Sequence, residues 1–208
     1  RLRLIFNIIH MKFPIYLDNN ATTPVDPRVF EAMAPYFCEK FGNAASITHA
    51  IGLEGESAVS EARKQCARLI GAKPKEIVFT CGSTESINLA IKGVCEAKFA
   101  KRKKVITVPT EHNAVLDSCR YMERHGCEVV YLGVDNYGLI DLDELRDTIC
   151  DNTALVTIMV GNNEIGTIQP IKEINEVCRE KGVVFFTDGT QGVGKIPINV
   201  KEMGIDML

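Results

Sequence analysis

The chain has 208 residues, is 46% hydrophobic and carries 24 Lys and Arg against 27 Asp and Glu, enough apolar sequence for one substantial globular core. Charge is mixed along the chain except for a basic cluster at Lys101, Arg102, Lys103 and Lys104, which reads as a solvated helix end; nucleic acid binding is excluded, and no apolar run reaches the length of a membrane span. The eight cysteines (Cys38, Cys66, Cys81, Cys95, Cys119, Cys127, Cys150 and Cys178) form no CxxC pair and have no histidine at ligand spacing, so the sequence points to no metal and to reduced thiols in a cytoplasmic protein.

The opening RLRLIFNIIH precedes Met11 and is basic and apolar without a small-residue cleavage site. It reads as sequence upstream of the true start or an expression remnant, with a signal peptide as the alternative. Pro27, behind Asp26, opens a helix at its favoured first position, and residues 54–70 form another that stops at Gly71. From residue 75 onward β-rich runs alternate with helical periodicity. The expected strands are EIVFT (76–80), KVITVP (104–109), EVVYLG (128–133), LVTIMV (155–160) and VVFFT (183–187), with helices over 84–100, 113–125, 142–150 and 171–182. This is the pattern of an α/β fold with a mostly parallel sheet flanked by helices. GIDML at the end starts like a further strand and reads as cut in mid-element.

In such sheets ligands sit where the strand-to-helix loops gather, at the C-terminal strand ends. CGSTES (81–86) is a glycine turn into a helix. Ser83 and Thr84 there make either an anion site, through free N–H groups and hydroxyls, or an ordinary capped helix. His112 in TEHNA reads either as an acid-base or ring-stacking group or as a structural histidine. In NNEIG, Asn162 fits a cap or turn, Asn163 a donor to a ligand oxygen and Glu164 a structural partner. GTQGVGK (189–195) matches a phosphate loop, but Ile196 stands where Ser or Thr would hold magnesium, and IPINV favours extended chain where a helix must follow. Asp188, at the mouth of an apolar strand, requires a partner, since an unpaired buried charge is costly. Pyridoxal phosphate needs a phosphate cradle, a stacking group, a donor to its phenolic oxygen and an acidic partner for its ring nitrogen, and these loops offer one of each.

Six blocks in order, YLDNNATTPVDPRVFEAM, FGNAASITHAIG, EIVFTCGSTESINLAIKG, TEHNAVLDSC, NNEIGTIQPI and TDGTQGVGKIPI, resemble the cysteine desulfurases of the iron-sulfur assembly type. The resemblance implies a fold-type I pyridoxal-phosphate large domain over residues 15–208, incomplete at its C-terminus and lacking the small domain, with residues 1–14 an upstream segment. It also implies removal of sulfur from L-cysteine as an enzyme persulfide with release of L-alanine, a homodimer, and an iron-sulfur scaffold or thiolation acceptor as partner. By motif, Ser83 and Thr84 would hold the cofactor phosphate, and His112 would stack on the ring and shuttle protons. Asn163 would lie near the ring oxygen and substrate carboxylate, Asp188 would pair with the ring nitrogen and Gln191 would donate to the phenolic oxygen. Gly161 replaces the family's usual apolar residue and Gly189 its usual alanine, and both changes are expected to be tolerated. The family's Schiff-base lysine, in a Ser-Gly-His-Lys stretch, and its nucleophilic cysteine are expected in a continuation past Leu208. None of the eight cysteines here matches that nucleophile, and the chain as given is expected to be inactive. A selenocysteine lyase, a class V aminotransferase or a non-catalytic remnant would share the cradle.

Overall fold

The computed structural model describes residues 14–98 and 101–208; the reading of RLRLIFNIIH as an upstream segment lies outside them. The chain divides into two compact units, one up to Glu39 and one from Lys40 onward. In the first, α1 (Pro27–Met33) starts as its sequence predicts: Asp26 caps it by accepting the Arg28 N–H at 2.8 Å, and proline occupies the first turn. α2 (Pro35–Cys38) follows, and neither helix buries a residue.

The second unit opens with α3 (Ala50–Ile70), capped by His49 Nδ1 and ended by Gly71 at φ 72°, a left-handed conformation that glycine adopts at low cost. It begins one turn earlier than the periodicity of residues 54–70 indicates. Between α3 and α4 (Ser83–Lys98) lies a single 3-10 turn, Pro74–Glu76. The expected first strand, EIVFT, does not form. Ile77 is extended, at φ −86° and ψ 127°, yet residues 77–80 pair with no strand among the described residues, and Val78 and Phe79 face solvent. A strand exists through its ladder, and here Arg63 takes the place of one, donating to Ile77 O and stacking its guanidinium 4.7 Å over the Phe79 ring.

The sheet contains β1 (Lys104–Thr107), β2 (Glu128–Tyr131), β3 (Thr153–Thr157) and β4 (Val184–Phe186), all parallel, in the order β2-β1-β3-β4. Helices α5 (Asn113–Arg124), α6 (Leu142–Thr148) and α7 (Ile171–Glu180) make the crossovers. The strands are shorter than their apolar runs because pairing stops before burial does: Val108, Ile158, Met159 and Val160 are buried beyond the ladder. Period-two alternation sends Ile106, Val156 and Phe185 to one face, under α6 and α7, and Val105, Leu155 and Phe186 to the other, under α4 and α5. GIDML behaves as expected of a strand start: Met207 bridges Phe186 in parallel, and its N–H reaches Phe185 O at 3.2 Å. The basic cluster is less solvated than expected, since Arg102 donates to Gly182 O at 2.7 Å and Lys104 pairs with Glu128 at 3.3 Å.

The strand order places the site. From β1 the chain steps to β2 with α5 on one face; from β3 it steps the opposite way to β4 with α7 on the other face. Right-handed crossovers require this switch of faces when the direction of stepping reverses. The loops leaving β1 and β3 therefore diverge, and the crevice between their C-terminal ends is the topological switch point where ligands bind.

Candidate functional site

Three loops are knitted together at that crevice. Glu111, after β1, accepts the Met159 N–H beyond β3 through Oε1. Asn162 Nδ2 donates back to Thr110 O at 2.7 Å. Val160 N–H donates to Asp188 O at 3.0 Å, and Thr187 Oγ1 to Ile158 O at 2.6 Å, which brings in the loop after β4. The residues expected from TEHNA, NNEIG and TDGTQ are thus brought to one strand edge.

Asp188 is only 7% exposed. Its Oδ1 accepts both the Thr190 N–H (2.9 Å) and the Thr190 hydroxyl (2.6 Å), while Oδ2 has no partner among the described residues. Thr190 fixes the carboxylate through one oxygen and leaves the other open at the mouth of the strand, and a carboxylate so far withdrawn from water favours a donor opposite it, best a charged one. Close packing below the loop sets its height: a Cβ at Gly192 would stand 2.9 Å from Val160 Cγ1. Gln191 Oε1 accepts from Lys195 Nζ. GTQGVGK is turn with an isolated bridge from Val193 to Ile196 and no helix after it, in keeping with the mismatch to a phosphate loop.

His112 is exposed and caps α5, its Nδ1 accepting the Ala114 N–H at 3.1 Å. That bond requires Nδ1 to be unprotonated, so the ring proton sits on Nε2. Asn162 is the turn residue expected, its Oδ1 accepting the N–H groups of Glu164 and Ile165 at 2.8 and 2.9 Å. Asn163 is half-buried and donates to Glu164 at 3.0 Å.

Ser83 and Thr84 open α4, a 16-residue helix packed on β3 and α5. Their hydroxyls and N–H groups are exposed and have no acceptor among the described residues, whereas Glu85 turns back to the Cys81 N–H at 2.7 Å. The Cys81 thiol, and after it that backbone bond, hold the Glu85 carboxyl below its usual range. Two adjacent helix-start amides with two free hydroxyls fit a phosphate dianion. Among the hydrogen bonds of the described residues, those of Ser83 and Thr84 do not reach the three knitted loops. The open oxygen of Asp188 and the free donors of α4 together fit pyridoxal phosphate, a phosphate at one end and a protonated ring nitrogen at the other. A cavity of about 850 Å³ between the β2–α6 loop and α7 shares no residue with this site.

Glu111 is the member that reading the sequence passed over. It is 6% exposed, and its Oε2 has no partner among the described residues. Burial pushes its carboxyl up to about 8; the Met159 N–H opposes that rise and the Asp188 charge adds to it. The signal was an acidic residue directly behind a buried strand, masked by the histidine beside it.

A family model described as aminotransferase class-V matches residues 15–208. The chain is 55% identical over 197 residues to a cysteine desulfurase IscS of Rickettsia massiliae (strain Mtu5), covering 95% of this chain and 48% of that relative. Among solved structures, a NifS-like protein superposes with a TM-score of 0.90 at 40% identity, covering 92% of this chain and 53% of that one. SspA in complex with cysteine superposes with a TM-score of 0.89, also at 40% identity, covering 92% and 55%. The chain spans about half the length of the curated relatives it matches.

Proposed function

The chain belongs to the aminotransferase class-V family, and from that premise we propose that the full-length protein is a pyridoxal-phosphate-dependent cysteine desulfurase. It takes sulfur from L-cysteine onto an enzyme cysteine as a persulfide and releases L-alanine. The observation that carries this reading is Asp188, a buried carboxylate with one oxygen fixed by Thr190 and the other open at the switch point. When bound, pyridoxal phosphate supplies a conjugated ring that takes up the electron pair left by loss of the substrate's α-proton.

The residues of this chain do the rest. Ser83 and Thr84 bind the phosphate through amide and hydroxyl donors. Asp188 keeps a proton on the ring nitrogen, because an adjacent anion favours the cationic form. His112, held by its capping bond, would lie against the ring of the bound cofactor and move a proton through Nε2. Asn163 and Gln191 orient the substrate carboxylate and the ring oxygen.

Residues 15–208 form most of the cofactor-binding large domain, and the small domain belongs to the length that this chain does not span. The family's Schiff-base lysine and nucleophilic cysteine lie there too, so residues 1–208 alone turn over no cysteine. The whole protein is a cytoplasmic homodimer that hands sulfur to an iron-sulfur scaffold or a thiolation acceptor. The experiment is to incubate the full-length protein with L-cysteine and measure alanine and protein persulfide. Asp188→Ala should lower kcat about a hundredfold or more, the scale of a lost preorganised charge contact, while cofactor docking persists. A wild-type rate in that variant rejects the assignment.

A further inference from the structure

The sheet edge buries two carboxyl groups where one negative charge is wanted. Asp188 and Glu111 stand on either side of the end of β3: Asp188 O accepts the Val160 N–H, and Glu111 Oε1 accepts the N–H of the preceding residue, Met159. Both are more than nine-tenths buried. Burial works against ionising Glu111 and the Asp188 charge adds to that, so the pair favours one negative charge over two.

Their hydrogen bonds decide which. Asp188 Oδ1 receives two donors from Thr190, at 2.9 and 2.6 Å. Glu111 receives one, at Oε1, and its Oε2 is buried with no partner among the described residues. An anionic oxygen enclosed without a donor is the costlier arrangement, whereas a protonated Oε2 carries no charge into that enclosed position. Among the described residues no lysine or arginine compensates it: the charged and titratable groups there that act on Glu111 are Asp188 and, from α5, the Cys119 thiol, itself pushed up to about 12 mainly by burial. His112, next in the chain, is committed to the Ala114 N–H.

We propose that Glu111 is a positioning residue: as a neutral carboxylic acid it ties the His112 loop to the end of β3 and leaves the negative charge of the pair on Asp188, where the ring nitrogen needs it. This rests on the proposed pyridoxal-phosphate site. The Met159 bond holds the loop from which His112 projects, and the proton on Glu111 removes the second charge that would compete with Asp188.

The test uses the full-length protein and the variants Glu111→Gln and Glu111→Leu. Glutamine is neutral and keeps one acceptor for Met159 and one donor in place of the acid proton. In the cofactor-free protein at pH 7, the infrared difference spectrum between wild type and Glu111→Gln should lose one protonated-carboxyl C=O band. With added pyridoxal phosphate, Glu111→Gln should bind within about twofold of wild type, and Glu111→Leu about tenfold more weakly, the scale of one lost buried hydrogen bond. The absorption of the bound cofactor should show a transition near pH 8 in wild type that is missing from Glu111→Gln, which a role in packing alone would not produce. Absence of the infrared band, or a Glu111→Gln protein as impaired as Glu111→Leu, overturns the inference, because a charged glutamate would then be required. Wild-type protein that binds no pyridoxal phosphate overturns the proposed function instead, and the infrared result still decides the state of Glu111.

Discussion

Helices α3 and α7 carry comparable apolar sequence and meet opposite fates. α7, with 10 residues, buries Ile171, Ile174, Asn175, Val177 and Cys178 against the sheet. α3, with 21 residues, buries only Gly52, Gly55 and Ala67, and leaves Ile51, Leu53, Val59 and Leu69 exposed, Leu69 at 61%. The segment after it, with Val78 and Phe79, is exposed as well. An apolar stripe is written locally, but burying it takes a partner surface, and the sheet supplies one only to the helices that lie against it. What holds the start of α3 is close backbone contact: a Cβ at Gly52 would stand 1.8 Å from Ser46 O and one at Gly55 2.3 Å from Gly42 O. Under the homodimer proposed above, the open face of α3 is the side with apolar surface to spare.

The largest effect that would test this contrast is on stability. Ile174→Ala, in the core under α7, should cost about 2–5 kcal/mol in chemical denaturation, whereas Leu53→Ala on α3 should fall within about 0.5 kcal/mol. Equal losses would mean that α3 is as fully partnered as α7. If the dimer covers α3, Leu53→Ala should raise the dissociation constant measured by light scattering at micromolar protein.

The buried carboxyl gives the next largest effect, and its sign follows from proton counting. Glu111 has an ordinary value of 4.5 and is pushed up to about 8 in the fold, so between these pH values the folded chain holds a proton that the unfolded chain has lost. Stability from this group therefore falls as pH rises through that window, by at most about 1.4 kcal/mol per pH unit. Glu111→Gln should remove the slope, so that its stability relative to wild type grows from pH 5 to pH 8 in urea titrations. A constant difference across that range would show that Glu111 is ionised throughout.

At the exposed end of the site the effects shrink. Thr84→Ala should weaken retention of pyridoxal phosphate about tenfold, as for one charge-assisted hydrogen bond, with little change in the melting temperature of the cofactor-free protein. Gly189→Ala should be smaller still. Its Cβ would meet Leu208 Cδ1 at 2.5 Å, the far end of a side chain that can turn away, so a change within about 0.5 kcal/mol is expected.

The sequence alone determined what depends on local pattern. The three βα units and the fourth strand from residue 104 onward, the Asp26 and Gly71 helix signals, and the arrival of Asp188 at the end of a buried strand all follow from periodicity, capping and the cost of burying charge. The motif blocks likewise announced the family. Tertiary structure decided what depends on a neighbour. EIVFT has a strand's composition, but no strand pairs with it among the described residues, and hydrogen-bonded ladders cannot be read from one segment. His112 and Asn162 became capping and turn residues whatever else they do, because nearby N–H groups claimed their acceptors. Glu111 acquired its importance from Met159 and Asp188, 48 and 77 positions further along the chain. A carboxyl's protonation is set by what stands around it in space, and only the folding of β1, β3 and β4 side by side places those groups together.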